Sequence, residues 1–361
     1  MALPYQIVDI VATPLDIPLI EPFAIAGGSQ PLAQNVLVEL RLADGTRGFG
    51  EAAPFPAVTG ETQDSTIAAL RELEREVHGA DARAWRALAA RMATMHGDAA
   101  AARCALETAI LDALLRSSGL PMWSFFGGHG MVLETDMTIT AGSAEHAGRS
   151  ARAILARGIR TIKLKIGGAP AEDLARIEAV QAAAPDTPLI VDGNCGYDAP
   201  AALALLEELR RRGIAIALFE QPTARDDWEG IRRVTREGGV PVAADETVTT
   251  AADALRAARE GAVSCVNIKL MKAGIAEALD IAAICRAAGL KLMIGGMVES
   301  ILAMTVSAHF AAGQGGFAFV DLDTPMFMAE QPFQGGFTQR GGRLSVADSG
   351  PGHGVTPNEA T

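Results

Sequence analysis

The chain predicts an α/β fold, a (β/α)8-type barrel carrying an N-terminal α+β capping domain. Three observations carry that prediction. Polar residues closing short apolar runs recur 24 to 28 residues apart, at Thr138, Lys165, Asp192, Glu220, Asp245, Lys269 and Asp321, with Gly295, next to Glu299, on the seventh beat. Eight beats of that length suit eight strand–helix units, whose strand ends open onto one face. The runs themselves are continuously apolar, as in Leu189-Ile190-Val191 and Ala215-Ile216-Ala217-Leu218-Phe219, the pattern of strands buried on both faces of a parallel sheet. Finally, 361 residues exceed the ~250 of a typical barrel, so a second domain is expected. A doubly wound open sheet is the competing topology, but it gives no reason for every strand to end on a polar residue.

The elements follow in order. Residues 5–18 read as a strand. Residues 35–50 read as a hairpin around Ala43-Asp44-Gly45. Segments 64–78, 81–95 and 98–118 carry helical spacing, as in Ala102, Leu106, Ile110 and Leu114. These make an α+β cap over residues 1–128. The barrel is expected over 129–325, with strands at 133–141, 161–166, 188–192, 215–220, 240–245, 264–269, 291–295 and 317–321, each but the last followed by a helix. The glycine-rich tail 326–361 is expected to pack back on the cap.

Composition excludes several function classes. The formal charge of −12 argues against a nucleic-acid partner, whose surfaces are basic. No uninterrupted apolar run reaches membrane-spanning length. The opening Met1-Ala2-Leu3-Pro4-Tyr5 lacks the segments of a secretory leader, and the four cysteines, Cys104, Cys195, Cys265 and Cys285, are scattered without a CxxC. A cytoplasmic, homo-oligomeric protein with free thiols is expected.

The chemistry lies at the strand ends. Asp192, Glu220 and Asp245 close three consecutive strands, and converging carboxylates repel unless a cation sits between them. A hard divalent ion, Mg2+, suits oxygen ligands and keeps positions open for substrate. The alternative is three helix N-caps. Lys163 and Lys165 alternate along one strand and so share a face. With Leu164 and Ile166 toward the helices, both lysines point inward, where desolvation and mutual repulsion would lower an ammonium pKa toward that of a usable base. The alternative is an edge strand with its lysines in water. Lys269 closes strand six and Lys165 strand two, half a turn apart in a ring of eight. A carbon held between them, its carboxylate on the metal, has one lysine on each face. That arrangement implies proton abstraction next to a carboxylate.

These residues resemble the enolase superfamily, in its muconate-lactonizing-type subgroup. The matching pieces are Lys163-Leu164-Lys165, Val191-Asp192-Gly193-Asn194, Phe219-Glu220-Gln221-Pro222, Ala244-Asp245-Glu246-Thr247 and Ile268-Lys269-Leu270-Met271-Lys272, in order and at barrel spacing. The resemblance implies an enolase-like modified barrel and one Mg2+ per subunit on Asp192, Glu220 and Asp245. It implies Lys165 and Lys269 as the acid/base pair, with Lys163 at the substrate carboxylate. Asp321-Leu322-Asp323 resembles the Asp-x-Asp motif by which dipeptide epimerases hold a substrate ammonium; a turn before Thr324-Pro325 is the plainer reading. The seventh strand ends in Ile294-Gly295-Gly296-Met297, without the histidine of the mandelate-racemase type.

Thr138 and Met297 are expected to line the substrate pocket, with Phe23, Gly28 and Phe55 from two cap loops. The first loop reads Pro22-Phe23-Ala24-Ile25-Ala26-Gly27-Gly28-Ser29-Gln30. In Ala-Glu epimerases the resemblance places an arginine there; here that position falls near Gly28, and the gap is expected to admit a large ring. The second loop, Ala52–Val58, is apolar too. Apolar linings favour hydrophobic side chains, so an isomerase of hydrophobic or aromatic dipeptides is expected, acting at the α-carbon of the C-terminal residue. The alternatives are o-succinylbenzoate synthase, N-acylamino acid racemase or muconate cycloisomerase chemistry on the same site, or a non-catalytic binding barrel.

Overall fold

A computed structural model describes residues 4–25 and 28–358. Ala26 and Gly27 of the first cap loop lie outside the described residues. The cap opens with an antiparallel sheet of β1 (Ile7–Ile25), β2 (Gly28–Leu42) and β3 (Arg47–Ala52), in that order. The β2–β3 hairpin pairs Val36 with Ala52 and Arg41 with Arg47, with Gly45 in the left-handed region at φ 90°. Helices α1 (Pro56–Thr59), α2 (Gln63–Val77), α3 (Trp85–Met95), α4 (Ala100–Ser117) and α5 (Met122–Phe125) follow. Gly48 and Gly50 allow β3 to lie directly on α4, since a Cβ on either would come within 2.3 and 2.0 Å of the Ala109 and Ala105 carbonyls.

Strand β4 (Val132–Glu134) precedes eight parallel strands in sequence order: β5 (Met137–Ile139), β6 (Ile162–Lys165), β7 (Leu189–Asp192), β8 (Leu218–Glu220), β9 (Val242–Ala244), β10 (Cys265–Lys269), β11 (Lys291–Gly295) and β12 (Phe317–Val320). The sheet is curled. The Asp136 N–H donates to the Val320 carbonyl at 2.9 Å, joining the approach to β5 to the end of β12. The intervening helices are α6 (Ala144–Ala156), α7 (Pro170–Ala183), α8 (Ala199–Arg211), α9 (Trp228–Glu237), α10 (Ala251–Glu260), α11 (Leu270–Ala273) with α12 (Ile275–Ala287), and α13 (Ile301–Gln314). Strand β12 is followed by a 3-10 turn, Thr324–Phe327, rather than an eighth helix.

The expected single strand 133–141 is two. Strand β4 pairs antiparallel with β13 (Arg343–Ser345) of the tail, and β5 joins the barrel. The tail touches both units. The His353 N–H donates to Asp112 Oδ1 of α4 at 2.9 Å, and Phe333 and Val355 pack with Phe49 and Leu302. No helix among the described residues is long and apolar enough to cross a membrane.

Candidate active site

The strand ends place the expected residues in one region. Lys165 pairs in register with Asp192, and Asp192 with Glu220. None of the three carboxylates is a helix cap; those positions belong to Asp198, Asp227 and Thr250. Nor are the lysines in water: Lys163 is fully buried and Lys165 is 5% exposed.

The carboxylates are laced with ammonium groups. Lys163 Nζ lies 3.1 Å from Asp192 Oδ2, 2.8 Å from Glu220 Oε2 and 2.7 Å from Asp321 Oδ2. Lys165 Nζ lies 2.7 Å from Asp192 Oδ2, and Lys269 Nζ 2.6 Å from Asp245 Oδ2. Lys272 Nζ lies 2.5 Å from Asp245 Oδ1. Burial would raise Asp192 and Asp245, but the lysines outweigh it: Asp192 falls to about 2 and Asp245 lower still. Glu220 is pushed up to about 7 by burial and by Asp192.

Lys163 departs from expectation. Burial does act to lower Lys163 and Lys269, but surrounding carboxylates outweigh it. Asp321, Glu220 and Asp192 hold Lys163 above the ordinary lysine value, and chiefly Asp245 does the same for Lys269. Alternation along one strand showed the two ammoniums but not the anions facing them.

Glu220 Oε2 and Asp245 Oδ2 meet lysine ammoniums but accept no well-directed hydrogen bond, and Glu246 Oε2 and Asn194 Oδ1 are buried with no hydrogen-bond partner. Buried carboxylate and amide oxygens of this kind are the hard donors that suit Mg2+. Asp192, Glu220 and Asp245 do not close to mutual ligand spacing, with Lys163 set between Asp192 and Glu220, whereas Asp136, Asp321 and Asp323 each bring an oxygen within 4.8 Å of the others.

Asp323 Oδ2 accepts from the Thr138 N–H at 2.6 Å, and its side chain makes no cap bond to the turn it precedes. Burial and Asp321 push Asp323 up to about 7, while Lys163 outweighs burial at Asp321 and lowers it.

One cavity opens over this floor. Lys165 and Lys269 reach it from β6 and β10, four strands apart. Thr138, Asp321, Asp323 and Met297 line it, and Phe23 and Phe55 close it from the cap. Phe23 stands edge-on to Phe327, with centroids 5.5 Å apart. Lys163 lies beneath the lining, as do the three strand-end carboxylates. Gly28 is not part of the lining. A Cβ there would come within 3.1 Å of the Ala57 methyl, so Ala57 occupies the gap expected to admit a ring. Asn194, Glu246, Val58 and Thr324 also line the cavity and were not singled out, although Asn194 and Glu246 sit in the same short motifs as Asp192 and Asp245.

Second contacts fix the carboxylates. Asn267 Nδ2 donates to Glu220 Oε1 at 2.8 Å. Gln221 holds an unusual φ of 34°, strain of the kind that gathers at functional sites. Its Oε1 accepts from the Asp245 and Thr247 N–H groups at 2.9 and 3.1 Å.

Residues 7–127 match the mandelate racemase / muconate lactonizing enzyme N-terminal domain, and residues 146–361 match the enolase C-terminal domain-like family. The chain belongs to this family of the enolase superfamily. It is 58% identical over 354 residues to an aromatic dipeptide epimerase of Herpetosiphon aurantiacus, covering 98% of this chain and 99% of that one. It is 39% identical over 369 residues to a hydrophobic dipeptide epimerase of Citrifermentans bemidjiense, covering 99% of each. Among solved structures, a dipeptide epimerase of Enterococcus faecalis complexed with Mg and L-Leu-L-Tyr superposes with a TM-score of 0.94 at 31% identity, over 97% of this chain and 99% of that one.

Proposed function

We propose that the chain is a Mg2+-dependent epimerase of dipeptides with a hydrophobic or aromatic C-terminal residue. The observation that carries this is the placement of Lys165 and Lys269 on opposed strands of one cavity, with carboxylates along the arc between them. The names and contents of the relatives support it. Asp192, Glu220 and Asp245 are assigned to the ion. Bound there, Mg2+ would offset the charge that builds on a substrate carboxylate when the adjacent carbon loses its proton.

The rest is done by the chain's own side chains. One lysine, as the free amine once a bound cation would offset the carboxylates that hold its proton, takes the α-proton: the C–H bond breaks and an N–H bond forms at Nζ. The other, as the ammonium, returns a proton from the opposite face, and the configuration inverts. Asp321 and Asp323 receive the substrate's α-ammonium, since an anionic acceptor strengthens each hydrogen bond from a cation. Phe23, Phe55, Val58 and Met297 enclose the side chain and shed water from it. In this reading residues 1–128 with the tail 326–361 form the lid and 129–325 the catalytic barrel. The four free thiols suit a reducing, cytoplasmic setting.

The test is incubation of the protein with Mg2+ and an L,L-dipeptide set in deuterium oxide, read by mass spectrometry and chiral chromatography. Deuterium and inversion at the C-terminal residue of L-Ala-L-Phe are expected. Incorporation only into N-acylated amino acids would replace the dipeptide reading with the racemase alternative.

A further inference from the structure

A buried carboxylate of the cap, Glu51 at the end of β3, reaches into the barrel and holds the loop after β11. It is 1% exposed. Its Oε1 accepts from the Ser300 N–H at 2.9 Å, and its Oε2 accepts from the Ser300 hydroxyl and, at 3.2 Å, from the Ala303 N–H. These groups form the first turn of α13, whose leading N–H groups have no partners within the helix. Asn35, on the neighbouring strand β2 and equally buried, donates to Glu51 Oε1 at 2.7 Å and to the Val298 carbonyl at 2.9 Å.

Two cap side chains therefore pin the segment 298–303 from outside the barrel. That segment follows directly on Gly296 and Met297, which form one wall of the cavity. It also reaches the other wall. The Glu299 N–H donates to Thr324 Oγ1 at 3.2 Å, and the Thr324 hydroxyl donates to the Glu299 carbonyl at 2.7 Å. Thr324 adjoins Asp323. In the other direction Glu51 lies four residues before Phe55, the cap's contribution to the same cavity. The carboxylate thus stands where the cap's aromatic wall, the Met297 wall and the Asp323 strand end are joined.

We infer that Glu51, supported by Asn35, is a positioning residue that sets the width of the side-chain pocket by latching the cap to the loop after the seventh barrel strand. It touches no substrate atom and acts through Met297, Phe55 and Thr324. The inference rests on the dipeptide reading for its substrate, and on geometry alone for the latch. Glu51→Gln leaves the size of the side chain but places an N–H2 group among four donors, so the latch opens without a cavity.

The experiment compares E51Q with the wild type on L-Ala-L-Phe and L-Ala-L-Ala, together with amide hydrogen exchange over residues 297–303. A loosened pocket costs a large side chain more than a methyl. The expected result is a fall of about tenfold or more in kcat/KM for L-Ala-L-Phe, carried mainly by KM. The kcat for L-Ala-L-Ala should stay within about threefold, and exchange across 297–303 should be faster. An equal fall on both substrates, or unchanged exchange in a folded E51Q, would overturn the latch. Asn35→Ala removes only the supporting bonds. It is measured in the same way, and should E51Q not fold, its own selectivity shift or lack of one decides the matter. A wild-type protein inert toward every dipeptide would remove the functional reading while the exchange comparison still judged the latch.

Discussion

Replacing Asp323 by Asn separates a dipeptide site from the other chemistries this scaffold could run. The amide keeps the shape of the side chain, and its oxygen can still accept the Thr138 N–H that meets Asp323 Oδ2 at 2.6 Å. What is lost is one negative charge in a buried site, at the position proposed to receive the substrate ammonium. A hydrogen bond to a charged group is worth about 1.5–3 kcal/mol, so kcat/KM for free L-Ala-L-Phe should fall by about 10- to 150-fold. N-acetyl-L-Ala-L-Phe, with no ammonium, should lose little from its already poor rate. The pH dependence gives a second arm. Asp323 is pushed up to about 7 by burial and Asp321, so below that pH it takes up a proton and no longer attracts a cation. For the wild type, kcat/KM on the free dipeptide should decline as pH falls through about 7, and D323N should flatten that part of the profile. Steady-state kinetics on both substrates between pH 5.5 and 8.5 measure this. An equal loss on the free and acetylated compounds would refute the assignment of Asp323 to the ammonium.

Two further predictions concern the floor and the core. Asp245→Asn should abolish Mg2+ binding in isothermal titration calorimetry while D323N retains it; the reverse outcome would move the ion to the Asp136, Asp321 and Asp323 cluster. His309 is buried and neutral, its Nδ1 accepting the Trp123 N–H at 2.9 Å, and burial lowers its pKa to about 3. An unfolded histidine takes its proton near 6.5, so between those values the unfolded state holds more protons and stability falls as pH falls, by up to about 1.4 kcal/mol per unit from this residue. Urea unfolding at pH 7 and pH 5 should show a shallower loss for His309→Gln than for the wild type; identical losses would count against this source.

Much of the barrel was legible because period and spacing are local. The lysine pair and the strand-end carboxylates came from position along their strands, and Asp321-Leu322-Asp323 from its resemblance to a known motif. The first strand was less legible. Residues 5–18 read as a strand, yet β1 runs on through Pro22 to Ile25; it is an edge strand, where a missing N–H costs no ladder bond. A register shift between Pro18 and Phe23 absorbs the irregularity. The run 133–141 read as one strand because nothing local shows that its halves serve different sheets. Gly28 read as open space because Ala57, which fills it, is 29 positions away. The Glu51–Ser300 contact spans 249 residues and leaves no periodic trace. The raised lysines have the same cause, since Lys163 meets Asp321 across 158 residues.

The central claim is that two lysines approach one α-carbon from opposite faces. It is tested most directly by following α-deuterium exchange of L-Ala-L-Phe and L-Ala-D-Phe, separately, in the variants Lys165→Ala and Lys269→Ala. Epimerisation should be abolished in both, while each variant still exchanges the proton of one epimer only, and the two variants retain opposite epimers. Loss of exchange from the same epimer in both, or continued epimerisation in either, would contradict the account.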